Sequence, residues 1–310
     1  MTVASAIETT ALAKTYGKTQ VLYPISLSVP QGSVCALVGH NGAGKTTLIK
    51  LLLNILRPTS GSATVLGESA AALTGASFTR IGYVSENQEM PEWMTVQGFM
   101  DYLGPFYPTW NDTNLLADLD LPPDRKLKHL SRGMRMKASL ASILAFRPQL
   151  IVMDEPFSGL DPLVRDQLIE TLLDRINNNS DPLGTTVLIS SHDLGEIESF
   201  ASHVIFLHQG RLLFTEPLDT LTARFREVTV SLSPSGTSPA PLNLPASWLL
   251  PESTPSLLRF VHSDAQTSFL EEQIYAVLPN ATGIQAEPMT LRTIFLALVK
   301  SSHLQDRNRA

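Results

Sequence analysis

A glycine-rich octapeptide is the part of the sequence best suited to chemistry. It reads Gly39-His40-Asn41-Gly42-Ala43-Gly44-Lys45-Thr46, fits the pattern G-x-x-x-x-G-K-[ST], and follows an apolar run at residues 34–38. Glycines let backbone N–H groups curl around a phosphate, Lys45 supplies a cation, and the Thr46 hydroxyl suits Mg²⁺. Thr47 adds one more donor. We therefore predict a phosphate loop, residues 39–47, that binds a nucleoside triphosphate and Mg²⁺.

Two adjacent carboxylates follow a second apolar run. Residues 150–153 are Leu-Ile-Val-Met, and Asp154 and Glu155 come next. Ligands in open α/β sheets sit beyond the carboxyl ends of the strands, so this pair is expected beside the phosphate loop. We predict that Asp154 holds Mg²⁺ through a water and that Glu155 polarises the attacking water as general base.

The elements that must position these residues alternate between apolar strands and helical patterns. We predict strands at residues 34–38, 150–153 and 186–190, and a helix over residues 46–56 that Pro58 and Gly61 terminate. A hairpin is expected from the runs 204–207 and 211–214, on either side of Gln209-Gly210. Strands separated by helices predict an α/β fold with a largely parallel sheet.

A helical pattern rich in aromatic side chains covers residues 82–147. Six aromatics fall within 18 residues: Trp93, Phe99, Tyr102, Phe106, Tyr107 and Trp110. They suit either the small core of this region or a surface that meets a partner, and both can hold at once.

The last part of the chain, beyond about residue 215, has a different composition. Residues 231–255 are rich in serine and proline and predict loops and short edge strands. A strand is expected at 259–262, and amphipathic helices at 267–278 and 291–300. We expect a small appendage without visible chemistry.

Composition narrows the classes of protein that remain. The 310 residues carry a net charge of −6, so the chain lacks the excess of basic residues that is typical of general nucleic-acid binders. A single cysteine, Cys35, excludes an intrachain disulfide, and its apolar neighbours predict a buried side chain. We find no secretory signal and no membrane-spanning segment, so we expect a cytoplasmic protein.

Four further motifs resemble those of the ATP-binding-cassette (ABC) ATPases. A signature loop, residues 130–134 (Leu-Ser-Arg-Gly-Met), lies upstream of Asp154. Residues 158–161 (Ser-Gly-Leu-Asp) resemble the D-loop of that family, His192 its switch histidine, and Tyr16 its adenine-stacking aromatic. The resemblance covers roughly residues 7–215. It implies an α/β P-loop NTPase fold with a mainly parallel RecA-like sheet, an antiparallel β part and a helical subdomain.

The resemblance also implies domain limits and residue roles. The cassette would span residues 1–218, with its helical subdomain at about 84–147, and residues 219–310 would form a C-terminal accessory domain. Two cassettes of this family close head to tail around two ATP molecules. Ser131 and Gly133 would contact the nucleotide bound by the partner, and Asp161 would couple the two sites. His192 would hold the lytic water in line. ATP and Mg²⁺ are the implied cofactors, and the implied enzyme is an ATPase.

Three positions depart from the family pattern. Glu86 stands at the usual Q-loop glutamine, where it is expected to ligate Mg²⁺ and to add negative charge beside the γ-phosphate. Arg132 replaces a signature glycine, and we hypothesise that it compensates for Glu86; the alternative is that it points to solvent. Met134 replaces the signature glutamine, and nothing explains that change. These substitutions resemble the branch of the acetoin-utilisation transporter, whose membrane subunits are of the ABC-2 type, commonly exporters.

The predicted function is therefore the ATP-hydrolysing subunit of a transporter. Its expected partners are multi-span membrane subunits and a second cassette, either a copy or a paralogue, with no nucleic acid. The expected location is the inner face of the cell membrane, held there by those subunits. Alternatives are a non-transport ABC ATPase acting on nucleic acid or a ribosome, and a degenerate regulatory cassette. The transported substrate cannot be read from this sequence.

Overall fold

Short apolar runs form the middle of a six-stranded sheet in the computed structural model, which describes residues 4–177, 184–233, 244–265 and 269–307. Strands β3 (Val34–Val38), β7 (Leu150–Asp154) and β8 (Thr186–Ser191) are buried along their whole length. Such strands need continuous apolar sequence because both faces of a parallel sheet are covered. The sequence predictions for these three strands are confirmed.

The remaining strands of this sheet complete the order β10-β9-β3-β8-β7-β6. They are β6 (Ile81–Ser85), β9 (His203–His208) and β10 (Arg211–Pro217). Pairings β3–β8, β3–β9, β6–β7 and β7–β8 are parallel, and Gln209 and Gly210 form the predicted turn between β9 and β10, both at positive φ. Strand β6 corrects the prediction that a helical pattern begins at residue 82.

An antiparallel sheet, in the order β2-β1-β4-β5, lies in the first part of the chain. Its strands are β1 (Ser5–Tyr16), β2 (Thr19–Pro30), β4 (Ser60–Val65) and β5 (Glu68–Ser69). Alternating buried and exposed residues along β1 and β2 give this sheet one core face. One apolar cluster joins it to the six-stranded sheet through residues such as Ile25, Leu37 and Leu48.

Helices pack around these sheets. They are α1 (Lys45–Leu52), α2 (Gly75–Phe78), α3 (Val96–Leu103), α4 (Leu115–Asp118), α5 (Arg132–Leu144), α6 (Pro162–Asn177) and α7 (Leu194–Ile197). Helix α1 ends earlier than the predicted residue 56 because Asn54 adopts φ 56° and the Ile55 N–H turns back to the Lys50 carbonyl at 2.9 Å.

The chain divides into two compact units, Met1–Thr215 and Glu216–Ala310, close to the boundary predicted between residues 218 and 219. The second unit contains α8 (Leu218–Arg224) and an antiparallel sheet in the order β12-β13-β11-β14. Its strands are β11 (Arg226–Leu232), β12 (Trp248–Ser253), β13 (Leu257–His262) and β14 (Ala281–Pro288). The predicted strand at 259–262 and the edge strand β12 are confirmed, whereas β14 was not predicted.

Two helices complete the second unit, α9 (Leu270–Val277) and α10 (Leu291–Arg307). Both predicted helices are confirmed, although the predicted first residue of α9, Thr267, lies outside the described residues, as do residues 234–243 of the predicted loop region. The core of this unit joins α9 to the sheet through Ile274, Val230 and Phe260. In the described ranges, no helix has the length and apolar character needed to cross a membrane.

Candidate nucleotide site

The phosphate loop connects β3 to α1, as predicted. A Cβ at Gly39 would lie 2.4 Å from the Leu207 carbonyl oxygen, and Gly44 adopts φ 103° at the N-cap of α1. Neither position accepts a side chain without strain. The backbone N–H groups at the start of α1 are therefore available to an anion, which the helix dipole also favours.

Lys45 is buried, with 5% of its surface exposed, and its ammonium group is held by oxygens alone. Nζ donates to the Gly39 carbonyl at 2.5 Å and to the His40 carbonyl at 3.3 Å. It also lies 3.0 Å from Oε1 of Glu155. The lysine thus bends back over its own loop and meets the end of β7.

Glu155 stands between Lys45 and His192. Its Oε2 lies 2.7 Å from Nδ1 of His192, while Oε1 is buried and has no aligned hydrogen bond to any described residue, because the Lys45 contact is an ion pair only. Glu155 also adopts φ 52°, an uncommon conformation for a residue other than glycine. A buried carboxylate oxygen without an aligned donor is suited to accept a proton from a water.

Ser190 is a further site residue that the sequence analysis did not select. The sheet register sets Ser190 opposite Asp154, and Asp154 opposite Ser85. The Ser190 hydroxyl donates to Oδ1 of Asp154 at 2.7 Å and accepts from the Glu155 N–H at 2.9 Å. One buried hydroxyl therefore orients both acidic residues. Ser190 lies two residues before the predicted switch histidine, His192, but only the strand register shows its role.

An open cleft of about 590 Å³ brings the predicted metal-binding residues together. Its lining includes Thr46, Glu86, Asp154 and Glu155. The Glu86 carboxylate forms an ion pair with Arg132, so Arg132 does not simply point to solvent. Within the described ranges, no group of three or more His, Cys, Asp or Glu side chains is arranged to hold a metal by itself. The hydroxyl of Thr46 and the carboxylates of Asp154 and Glu86 are oxygen ligands that suit Mg²⁺, which nucleotide sites bind through few protein oxygens together with phosphates and water.

Burial changes the acidity of two groups near the cleft. It raises the pKa of Tyr83, and the negative charge of Asp154 raises it further, so this phenol stays protonated beside the carboxylate. Burial also raises the pKa of Glu196, whose carboxylate accepts from the Ser191 hydroxyl at 3.0 Å. Away from the cleft, burial raises the pKa of Cys35 to about 12, which makes it an unreactive core residue, as predicted.

The predicted adenine-stacking residue is accessible. Tyr16 ends β1 with 45% of its surface exposed, and Nζ of Lys14 lies 5.0 Å from its ring centre. A second aromatic that could stack on adenine is Tyr23 of β2, but the Arg211 guanidinium covers its ring at 3.6 Å. Tyr16 is therefore the ring that offers an open face.

Ser131, Gly133 and Asp161 lie at helix starts rather than around the phosphate loop. Ser131 caps α5, accepting from the Met134 N–H at 3.3 Å, and a Cβ at Gly133 would lie 3.0 Å from Cγ1 of Val164. Asp161 precedes α6 and accepts from the Leu163 N–H at 2.9 Å. Among the described contacts, none joins these three residues to the loop of their own chain.

The six clustered aromatics divide into two sets. Trp93, Tyr102 and Phe106 are 71%, 53% and 62% exposed. The others pack inward: Phe99 is 7% exposed, and Tyr107 stacks between Phe146 at 4.0 Å and Trp110 at 5.7 Å. The core interpretation is therefore confirmed for Phe99, Tyr107 and Trp110, whereas the partner surface stays a prediction for the three exposed rings.

A parallel sheet, a phosphate loop at a helix start and an acidic pair at the end of β7, which β8 separates from β3, define a P-loop nucleotide-binding ATPase. Comparison with known proteins narrows this class. The family model described as "ABC transporter" matches residues 22–158. A second model, described as "AAA domain, putative AbiEii toxin, Type IV TA system", matches residues 121–198.

Similar proteins identify the family. The bacitracin transport ATP-binding protein BcrA of Enterococcus faecalis is 31% identical over 228 residues, covering 72% of this chain and 73% of that protein. An uncharacterized ABC transporter ATP-binding protein, sll0415 of Synechocystis sp., is 33% identical over 68% of this chain, but the match spans only 62% of its length. A solved ATP-binding subunit of an ABC transporter superposes with a TM-score of 0.64 at 27% identity, covering 70% of this chain and 92% of that one.

The chain belongs to the ABC transporter ATP-binding proteins and is an ATPase of the ABC type. The predicted family and fold class are thereby confirmed. None of these matches tests the acetoin-utilisation branch, which stays a prediction.

Proposed function

We propose that this chain hydrolyses ATP in order to drive separate multi-span membrane subunits of a transporter. The observation that carries the proposal is the placement of Glu155 between Lys45 and His192 at the mouth of the phosphate loop. A protein that binds ATP without hydrolysing it would not need a general base, a cation and a histidine in contact with one another.

ATP binding would use the loop and one aromatic ring. Tyr16 would stack on adenine. The loop residues 39–47 would surround the phosphates, and Lys45 would leave Glu155 to contact the β- and γ-phosphates. This exchange releases the Glu155 carboxylate in the presence of the nucleotide, because the phosphates offer Lys45 a stronger anionic partner.

Mg²⁺ would be held by Thr46, Asp154 and Glu86. The cation supplies charge neutralisation for the phosphates when bound. Ser190 keeps the Asp154 carboxylate aimed at the cleft. The mixed hydroxyl and carboxylate oxygens of this set are the ligands that Mg²⁺ prefers.

Hydrolysis would then proceed by positioning and charge stabilisation, with little covalent work by the protein. Glu155 accepts the proton of the attacking water. His192, 2.7 Å from Glu155, is near enough to hold that water in line with the γ-phosphate.

A second cassette would complete each site. Ser131 and Gly133 would contact the nucleotide held by the partner, and Asp161 would couple the two sites. The exposure of Ser131 and Asp161, and their separation from the loop of their own chain, support this arrangement. The partner is either a second copy or a paralogue.

The exposed aromatics Trp93, Tyr102 and Phe106 are proposed to receive the membrane subunit. Exposed aromatic rings bury much area at a low entropy cost when a partner docks. The named bacitracin transport relative supports a transport role, and the ABC-2 resemblance supports export. The protein would then lie at the inner face of the membrane without contacting nucleic acid.

The test is a pull-down of the tagged Glu155→Gln variant, held with Mg-ATP, from gently solubilised membranes of its own host. Loss of the base should trap the closed dimer, and we expect a multi-span membrane protein to co-purify. Glu170→Gln, an exposed position on α6, is the matched control and should capture less. Recovery of ribosomes or of soluble proteins alone would reject the transporter and favour a non-transport ABC ATPase. A wild-type protein that binds ATP without hydrolysing it would favour a regulatory cassette.

A further inference from the structure

Arg132 connects three loops of the nucleotide machinery within one chain. Its guanidinium forms an ion pair with Glu86 of the Q-loop. It also lies against Gly159 of the D-loop, where an added Cβ would be 2.8 Å from Nη1. Gly159 adopts φ 65°, so the D-loop turns at the point where the guanidinium rests. The signature loop is thereby tied to the Q-loop and the D-loop through one side chain.

Glu86 faces two cavities at once. On one side it borders the cleft lined by Thr46 and Asp154. On the other side it borders a second cavity, of about 510 Å³, that Arg132 and Arg135 line. The same carboxylate can therefore be reached by a cation in the nucleotide cleft and by the Arg132 guanidinium.

The two partners compete for this carboxylate. Glu86 is 31% exposed and Arg132 is 50% exposed, so their ion pair is partly solvated and is weaker than a buried one. A divalent cation in the cleft would bind a carboxylate oxygen directly, whereas the guanidinium holds it through a partly solvated ion pair. Direct coordination and the position of Glu86 between the two cavities favour transfer of the carboxylate to the cation.

We propose that the Glu86–Arg132 ion pair is a latch that opens when Mg-ATP fills the cleft. Glu86 exchanges the guanidinium for Mg²⁺, and the signature and D-loops lose their tie to the Q-loop. Loading of a chain's own site then frees its signature loop to adjust to a second cassette. The inference rests on the proposed ATP and Mg²⁺ site.

The test compares nucleotide affinity with and without Mg²⁺ in the Arg132→Gln variant, using a fluorescent ATP analogue. With the latch removed, Mg²⁺ no longer displaces a guanidinium. We expect the analogue to bind roughly two- to fivefold more tightly in Mg²⁺, which is the size of one exposed ion pair. In EDTA we expect no tightening, because nothing then competes for Glu86. In a Glu86→Gln background, Arg132→Gln should have no Mg²⁺-dependent effect.

Arg135→Gln is the matched control for charge and position. Arg135 lies on the same helix and pairs with Glu92 at 3.2 Å, outside the nucleotide cleft. It should leave the Mg²⁺-dependent affinity unchanged. Equal tightening in Arg135→Gln, tightening in EDTA, or weaker binding by Arg132→Gln in Mg²⁺ would overturn the latch. Failure of the wild-type chain to bind Mg-ATP would instead overturn the proposed function, and the latch with it.

Discussion

Ser190 shows how much of the site depends on a single hydroxyl group. It donates to Asp154 and accepts from the Glu155 backbone, so both acidic residues take their position from it. Ser190 is fully buried. A water could take the place of its hydroxyl only in a cavity large enough to hold it. Its role is therefore positioning, exerted through the two carboxylates.

We expect Ser190→Ala to lower kcat for ATP hydrolysis roughly 10-fold, equivalent to about 1.4 kcal/mol, because the base and the metal ligand lose their alignment. KM should change much less, since the phosphate loop is untouched. The measurement is steady-state ATPase kinetics with a Mg²⁺ titration. Ser142→Ala, which removes a buried hydroxyl from α5 away from the site, should leave kcat unchanged. A parallel loss in both variants would show a general loss of packing instead.

The sequence predicted the residues of the site better than their contacts. Lys45, Asp154, Glu155 and His192 belong to local motifs, and the structure brings them to one edge of the sheet. The link from Ser190 to Asp154 spans 36 residues and depends on strand register. Register arises from packing of whole strands, which a short motif does not encode.

At the scale of strands and helices, too, local sequence patterns predicted some elements, whereas others depend on contacts with distant residues. Continuous apolar runs predicted β3, β7 and β8 correctly, because strands buried on both faces need them. Strand β6 was missed: Gly82 weakens its pattern, and the glycine is needed where Ile143 of α5 would meet a Cβ at 3.1 Å. Strand β14 was missed because most of its residues are exposed and Ile284 is its one large aliphatic side chain.

Strand β13 of the second unit ends at a buried histidine. His262 is 3% exposed, its ring lies 6.2 Å from that of Trp248, and its Nδ1 accepts from the Asp264 N–H at 3.2 Å. Burial lowers the pKa of His262, while the Asp264 charge and a hydrogen bond with Gln273 partly oppose the shift. The folded unit therefore holds this ring neutral and resists its protonation.

Acidification is expected to destabilise the second unit through this residue. The unfolded chain binds a proton near the ordinary pKa of 6.5, whereas the folded chain does so only at lower pH, so the stability present above 6.5 is lost as the pH falls. His262→Gln should reduce this loss. The measurement is the urea midpoint from near-UV circular dichroism, whose signal includes Trp248, at about pH 5.5 and about pH 7.5.

His203→Gln is the control for this experiment, because burial also lowers the pKa of His203 but the residue lies in the first unit. This variant should keep the acid sensitivity of the second unit. If His262→Gln and the wild type lose the same stability between the two pH values, the acid sensitivity has another source.

At the scale of the whole molecule, the proposed chemistry and the proposed partner contact use different parts of the first unit. The proposed chemistry lies at the carboxyl ends of β3, β7 and β8, whereas the exposed aromatics lie between β6 and α5 in the chain. A subunit that drives a membrane partner needs this separation, because the docking surface must transmit force to the partner and therefore cannot contain the groups that react with ATP. The two functions should therefore be separable by mutation.

Trp93→Ala is the substitution that tests this separation. The ring is 71% exposed, so its removal should change folding stability by no more than about 0.5 kcal/mol and leave basal ATPase activity intact. Affinity for the membrane subunit should fall at least roughly 10-fold, as for an aromatic interface hot spot. Recovery of the membrane subunit in the Glu155→Gln pull-down measures partner binding. The basal ATPase rate is measured separately. Ile55→Ala, an exposed apolar residue of the same unit, should alter neither. Unchanged recovery with Trp93→Ala would mean that the partner docks elsewhere.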